Sequence, residues 1–336
     1  MINFSGWLDL PLVFGFIIAT ALLLYIILDG FDLGCGILFP FAPSDSCRTK
    51  IVNAIAPFWD GNETWLVMAG GGLLAAFPVA YAIIMPALYL PIIIMVLGLV
   101  FRGVAFEFRF KATGADKPLW DAAFHAGSLL AAFMQGVVIG NFVQGFTVTG
   151  RAFSGGPLAW ANGFAMLTGL GIIAGYGLLG ATWLIWKCDG ETQAWARRAA
   201  RYMLCYVGSF MLAVAVCTLI MDARVNDLWA TGWLVVVLLS LAIATCITAT
   251  WRYSYAGEVM PFITSIMIFF IAYFALGLSY FPWMVPFHFT IWQAAAVDTS
   301  LSIILIGVVI FLPIILAYTG YSYYVFRGKT SDKPYY

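Results

Sequence analysis

Three pairs of charged residues stand in otherwise apolar sequence: Asp29 with Asp32, Asp60 with Glu63, and Arg102 with Glu107. The first two pairs are spaced three apart, which puts both side chains on one face of a helix. The second pair lies in WDGNETW, residues 59–65, and the run from Leu66 to Ala76 that follows holds no charge. A carboxylate among apolar neighbours costs on the order of several kcal/mol unless partners or water surround it. Acids so placed can pass protons, because a partly buried carboxyl can exist in both charge states. Arg102 is the cation that would hold one of them ionised. The competing reading is that these residues cap helix ends, pair with Arg102 or Arg109, and bind structural water.

The elements that must position them are membrane spans. The 336 residues are 63% hydrophobic and 10% charged, with net charge zero, and mean hydropathy is +0.96. A soluble domain carries about 25% charged residues, so the composition specifies a polytopic membrane protein. The neutral balance leaves no electrostatic footprint for nucleic acid. Nine apolar segments are each long enough to cross: 8–39, 51–75, 78–108, 119–141, 158–186, 199–221, 230–250, 259–280 and 299–326. The first has no basic residue before it and no A-x-A-like exit, so it reads as an uncleaved span. Nine crossings place 14 of the 16 basic residues on one side and leave Arg151 and Arg224 on the other. The positive-inside rule then puts the N-terminus in the periplasm and the C-terminus in the cytoplasm. The expectation is an all-α polytopic membrane helical bundle of nine transmembrane helices, residues 1–336 forming a single integral-membrane domain.

Depth follows from this map. Asp29 lies about 30 Å along span 1, near the inner side, Asp60 about 15 Å into span 2 with Glu63 slightly deeper, and Glu107 close to the inner surface. Asp29, Asp32, Asp60, Glu63, Arg102 and Glu107 thus trace a track from the cytoplasm toward the bilayer centre. The glycines at 70–72, at 169–177 and at Gly30, Gly34 and Gly36 read as helix-packing positions. No strand precedes them, so they are not a nucleotide loop.

Only two histidines exist, His125 and His288, and the map places them on opposite sides, which argues against bis-His heme ligation in this chain. The six cysteines form no C-x-x-C pair and read as buried free thiols. No H-E-x-x-H motif or Ser–His–Asp arrangement occurs, so no catalytic, cofactor-binding or metal residue is assigned.

LDGFDLGCGILFPF (28–41), APFWDGNETWLVMAGGGLLAAFP (56–78), FRGVAFEFRFK (101–111), GVVIGNFVQGF (136–146) and AYTGYSYYVFRGK (317–329) together resemble subunit II of the cytochrome bd quinol oxidases, in forms most similar to the cyanide-insensitive branch. The resemblance implies a nine-helix subunit in a bacterial plasma membrane, paired with a subunit I of similar fold that carries hemes b and d and the quinol site. The complex oxidises quinol and reduces oxygen to water. The resemblance gives this subunit no heme ligand. It assigns it stabilisation of subunit I and a share in the cytoplasmic proton path, with Asp60 in that path and Asp29 in a matching place. Some members hold a structural quinone, and a small single-span subunit and membrane lipid are further candidate partners. Two positions depart from the pattern: Phe58 stands where some relatives have His, and Glu63 where others have Gln. The alternatives are a purely structural membrane subunit and a secondary transporter.

Overall fold

The computed structural model describes residues 8–112, 116–221 and 229–331. Helix α1 (Leu10–Leu38) begins at the Asp9 cap, whose carboxylate accepts from the Leu12 N–H at 3.1 Å, and ends in a 3-10 turn at Phe39–Phe41. The chain continues through α2 (Asp45–Ile55), α3 (Trp59–Ala76), α4 (Pro78–Ala87), α5 (Tyr89–Lys111) and α6 (Lys117–Gln144). A hairpin of β1 (Val148–Thr149) and β2 (Ala152–Phe153) leads to α7 (Gly163–Lys187), α8 (Gly190–Met221), α9 (Trp233–Tyr253) and α10 (Met260–Tyr280). A second hairpin, β3 (Trp283–Val285) and β4 (Phe289–Thr290), and the short α11 (Ile291–Ala294) precede α12 (Asp298–Val325).

The architecture is all-α, and among the described residues eight helices are long and apolar enough to cross a bilayer. Two expected segments differ from the sequence reading. The segment 51–75 is two helices, because Pro57 lacks the N–H that would bond the Asn53 carbonyl; the polar α2 stops at Ile55 and α3 starts afresh at Trp59. Counting rise from Ile51 therefore misplaces Asp60, which lies in the first turn of α3. The segment 78–108 likewise breaks at Leu88 (φ −111°, ψ 16°) into α4 and α5, where Pro91 removes the bond to the Ala87 carbonyl.

Helix α1 is the central element and packs against α3, α6 and α7. Its approach to α7 is backbone on backbone: a Cβ on Gly34 would collide with the Tyr176 carbonyl, and one on Gly180 with the Gly34 backbone. Gly36 closes on Ser128 of α6 in the same way. The triplet at 70–72 differs, because Gly70 and Gly71 face open space and Gly72 alone meets a neighbour, Ile18. On α3 the exposed positions are Asp60, Thr64, Val67, Gly70, Gly71, Leu74 and Ala75, a face left uncovered by this chain.

Two large apolar cores and a small third one of Met95, Met134, Val137 and Ala165 fill the bundle. One large core gathers Phe31, Phe58, Phe106, Phe124 and Trp183, the other Phe14, Tyr25, Trp65, Phe77 and Leu88, and Leu28 and Leu66 touch both. At one end of the bundle the loops bring basic and acidic residues together. Arg109 bonds Asp121 at 2.5 Å, Lys117 bonds Asp45 at 2.7 Å, Lys50 bonds Asp189 at 2.6 Å and Lys329 reaches Glu258 at 3.1 Å.

Candidate functional site

At the seam between the two large cores sits an ionic cluster. Arg102, on α5, is 2% exposed and donates through Nη1 to Asp29 Oδ1 of α1 at 2.6 Å; Asp29 is fully buried. The other Arg102 nitrogen, Nη2, donates to Glu63 Oε1 of α3. Glu63 keeps 28% of its side chain exposed, so this ion triad runs from the protein surface to its interior and ties three helices together. The rigid fork of the guanidinium suits it to hold two carboxylates at once.

A second acid lies three residues along α1. Asp32 is fully buried and accepts from Asn62 Nδ2 at 2.7 Å; the same amide donates to the Leu28 carbonyl at 3.2 Å. Tyr323 of α12 donates to Asn62 Oδ1 at 3.0 Å. Oδ2 of Asp29 and Oδ1 of Asp32 are buried without a hydrogen-bond partner. Two carboxylates thus bond one guanidinium and a third lies one turn away on Asn62, and a low-dielectric site with that excess of acid is relieved by a bound proton or by water.

Toward the basic end, aromatic rings close the space around Asp32. Phe58 stacks on Tyr323 at 4.4 Å, Phe31 stacks on Trp183 at 4.2 Å, and Phe262 packs edge-on to Phe31. The Lys187 ammonium lies under this stack, 5.4 Å from the Trp183 ring, and donates to the Phe326 carbonyl. The tail beyond α12 is strapped down: Thr330 bonds the Lys187 carbonyl at 2.8 Å and Asn53 bonds the Ser331 carbonyl at 3.0 Å.

Four of the six residues expected from sequence, Asp29, Asp32, Glu63 and Arg102, meet here. Two do not. Asp60 is exposed on the uncovered face of α3. Glu107 is half-buried and joins no hydrogen bond of the cluster; five residues from Arg102, it points about 140° away around the helix. Sequence reasoning missed Asn62 and Tyr323, which are uncharged; the signal available was the WDGN stretch, where Asn62 sits between the two acids.

The remaining expectations fall elsewhere. His125 Nδ1 lies 3.1 Å from the Gly36 carbonyl, and His288 Nε2 lies 3.0 Å from the Phe146 carbonyl. Residues 125 and 146 bracket most of α6, so the two rings are about 30 Å apart. All six cysteines are free, with Cys35, Cys47 and Cys188 buried and Cys205 exposed. Burial pushes the Cys188 thiol up to about 11. Among the described residues no group of three His, Cys, Asp or Glu could hold a metal. An open apolar groove of about 560 Å³ between α4 and α5 is lined by Tyr81, Met85, Tyr89 and Ile93. Ile93 lies about 14 Å along α5 from Arg102.

A bundle of apolar helices built around a buried acid–guanidinium cluster defines a polytopic membrane protein with ionisable groups in its interior. The family model described as cytochrome bd terminal oxidase subunit II matches residues 10–326, and the chain belongs to that family. It is 29% identical to the cytochrome bd-I ubiquinol oxidase subunit 2 of Escherichia coli K12, covering 99% of this chain and 96% of the relative. It is 28% identical to the cytochrome bd ubiquinol oxidase subunit 2 of Bacillus subtilis, covering 94% and 96%. The fold matches a chain of the bd oxidase of Geobacillus thermodenitrificans with a TM-score of 0.74 at 19% identity, over 92% of this chain and 96% of that one. The chain is therefore the second subunit of a quinol oxidase complex, an oxidoreductase, and a multi-pass protein of a bacterial inner membrane. The transporter alternative falls with that assignment.

Proposed function

We propose that this subunit supplies cytoplasmic protons to oxygen reduction carried out at hemes b and d in subunit I, and that it stabilises that subunit. In this reading nine crossings place the basic end in the cytoplasm, and quinol is oxidised on the partner. A small single-span subunit and lipid complete the assembly.

The observation that carries the reading is the ion triad Glu63–Arg102–Asp29, a link of ionisable groups from a partly exposed residue to a fully buried one. The aromatic stack over Asp32 favours access from the side, along the face of α3 that bears Asp60 and the edge of Glu63. That face holds the bare backbone of Gly70 and Gly71, and small residues let a neighbouring helix approach closely. Protons pass along the boundary between the two subunits, Asp60 collecting them at the start of α3 and Glu63 and Asp29 handing them on through water beside Arg102, which itself stays protonated. Asp32, held by Asn62, is a side branch that stores one. Glu107 lies outside the route.

The test is Asp60→Asn and Glu63→Gln in the intact complex. Either replacement slows quinol oxidation by about a hundredfold or more, the lower part of the range for lost proton transfer, with heme content unchanged. A second reading, that the acids only tie helices, is favoured by Arg102 joining α1, α3 and α5. It predicts loss of hemes and of assembly in the variants that disturb Arg102, and wild-type turnover in Asp60→Asn.

A further inference from the structure

Beyond the acids, a chain of neutral polar groups continues from Asp29 along α1 and into α6 and α7. Tyr25, Gln135 and Tyr176 are buried, at 3%, 6% and 0% exposure. Gln135 Nε2 donates to the Tyr25 hydroxyl at 2.7 Å, and the Tyr176 hydroxyl donates to Gln135 Oε1 at 2.6 Å. Tyr176 is held in place by α1 itself, since a Cβ on Gly30 would stand 2.8 Å from its ring. In this arrangement Tyr25 accepts from Gln135, so its own proton points elsewhere. Asp29 lies four residues along the same helix, one turn away on the same face, and its Oδ2 is buried and unpartnered.

We propose that Tyr25 is a positioning residue for Asp29: its hydroxyl donates to Asp29 Oδ2, and the Gln135 amide, fixed by Tyr176, keeps it in the donor orientation. Asp29 then has a charged donor on one oxygen and a neutral donor on the other. The hydroxyl donates to a carboxylate in this orientation, and the phenol can also turn back toward Gln135 if the amide reverses, leaving its oxygen to accept from an acid. The arm thus gives Asp29 two hydrogen-bonded settings, one suited to the carboxylate and one to the acid. Arg102, Glu63 and Asp32 are the other charged groups nearby; Glu63 is bonded to Arg102 and Asp32 to Asn62.

The proposal rests on the proton-path reading above, and the experiment separates the two. Tyr25→Phe and Tyr176→Phe are made in the intact complex, beside Asp29→Asn and Asp29→Glu. Turnover and redox-difference infrared spectra are recorded for each. The Asp29 variants identify the carboxyl band, with Asp29→Glu serving where Asp29→Asn does not assemble. Tyr25→Phe is expected to keep its hemes, move that band to higher frequency and lower turnover by about tenfold, the weight of one hydrogen bond to a charged group. Tyr176→Phe moves the band less, because Gln135 still reaches Tyr25. An unmoved band in Tyr25→Phe overturns the proposal, water then being the donor to Asp29. Wild-type turnover in Asp29→Glu and Asp29→Asn, or no Asp29 band in the wild-type spectrum, overturns the proton-path reading beneath it.

Discussion

Charged side chains meet in two regions of this molecule, and the contrast lies in water. At the seam, Asp29, Asp32 and Arg102 are 2% exposed or less. At the basic end, Asp45 is 61% exposed and Asp189 is 63% exposed. The residue types and the distances are alike. The seam carries three acids to one cation, whereas at the basic end Arg48, Arg109, Lys117, Lys50 and Lys329 face Asp45, Asp121, Asp189 and Glu258. The exposed pairs among these contribute about 0–1 kcal/mol, Arg109–Asp121 being the buried exception at 3% and 14% exposure with one acid to one cation, while an uncompensated buried charge costs several times that. The basic end therefore fastens loops, and the seam is where a proton has a reason to reside.

The sharpest way to break this contrast is Arg102→Leu. It leaves Asp29 Oδ1 and Glu63 without their cation, and destabilisation of roughly 3–5 kcal/mol is expected, read as lost assembly and a lower thermal midpoint. Adding Asp29→Leu to Arg102→Leu restores part of the loss, because the stranded charge is gone. Next in size, Asn62→Leu removes the one donor to Asp32 and the acceptor of Tyr323, with an expected cost of about 1–3 kcal/mol measured by denaturation of the solubilised complex. Lys50→Ala at the basic end is expected to cost less than about 1 kcal/mol, and its effect should shrink further in high salt. An effect of Lys50→Ala as large as that of Arg102→Leu would erase the distinction between the regions.

The smallest effect is on pH. The hydrogen bond from Lys117 holds Asp45 below the usual carboxylate range, and that from Lys50 does the same for Asp189. Folded-state values below the unfolded ones give stability that is full above about pH 4 and lost as pH falls through the depressed values. A shallow fall of the thermal midpoint in that acid window, flattened in a Lys50→Ala, Lys117→Ala double variant, is the expected result.

Hydropathy and charge asymmetry made the fold class legible in the sequence, because every lipid-facing helix must satisfy its backbone internally. Element ends were less legible. Pro57 and Pro91 lie inside segments that read as single spans by hydropathy, which is blind to the bond a proline removes. At the seam, Asp29, Asp32, Glu63 and Arg102 stood out because charge is rare here. Asn62, Tyr323, Tyr25 and Gln135 did not, since one polar residue in a span looks the same whether it meets a partner or lipid. Asp60 shows the limit of spacing: three residues from Glu63, it is turned about 60° further around α3, enough to move it outside.

The ring stack beside Asp32 has a practical use. Trp183 is 1% exposed, its indole N–H is taken by the Ala54 carbonyl at 3.1 Å, and its face lies on Phe31. An indole so enclosed fluoresces as in a dry solvent, and water arriving there would move its emission to longer wavelength. Subtracting the emission of a Trp183→Phe protein isolates that signal, which makes the residue a built-in optical gauge of hydration beside the buried acids during turnover.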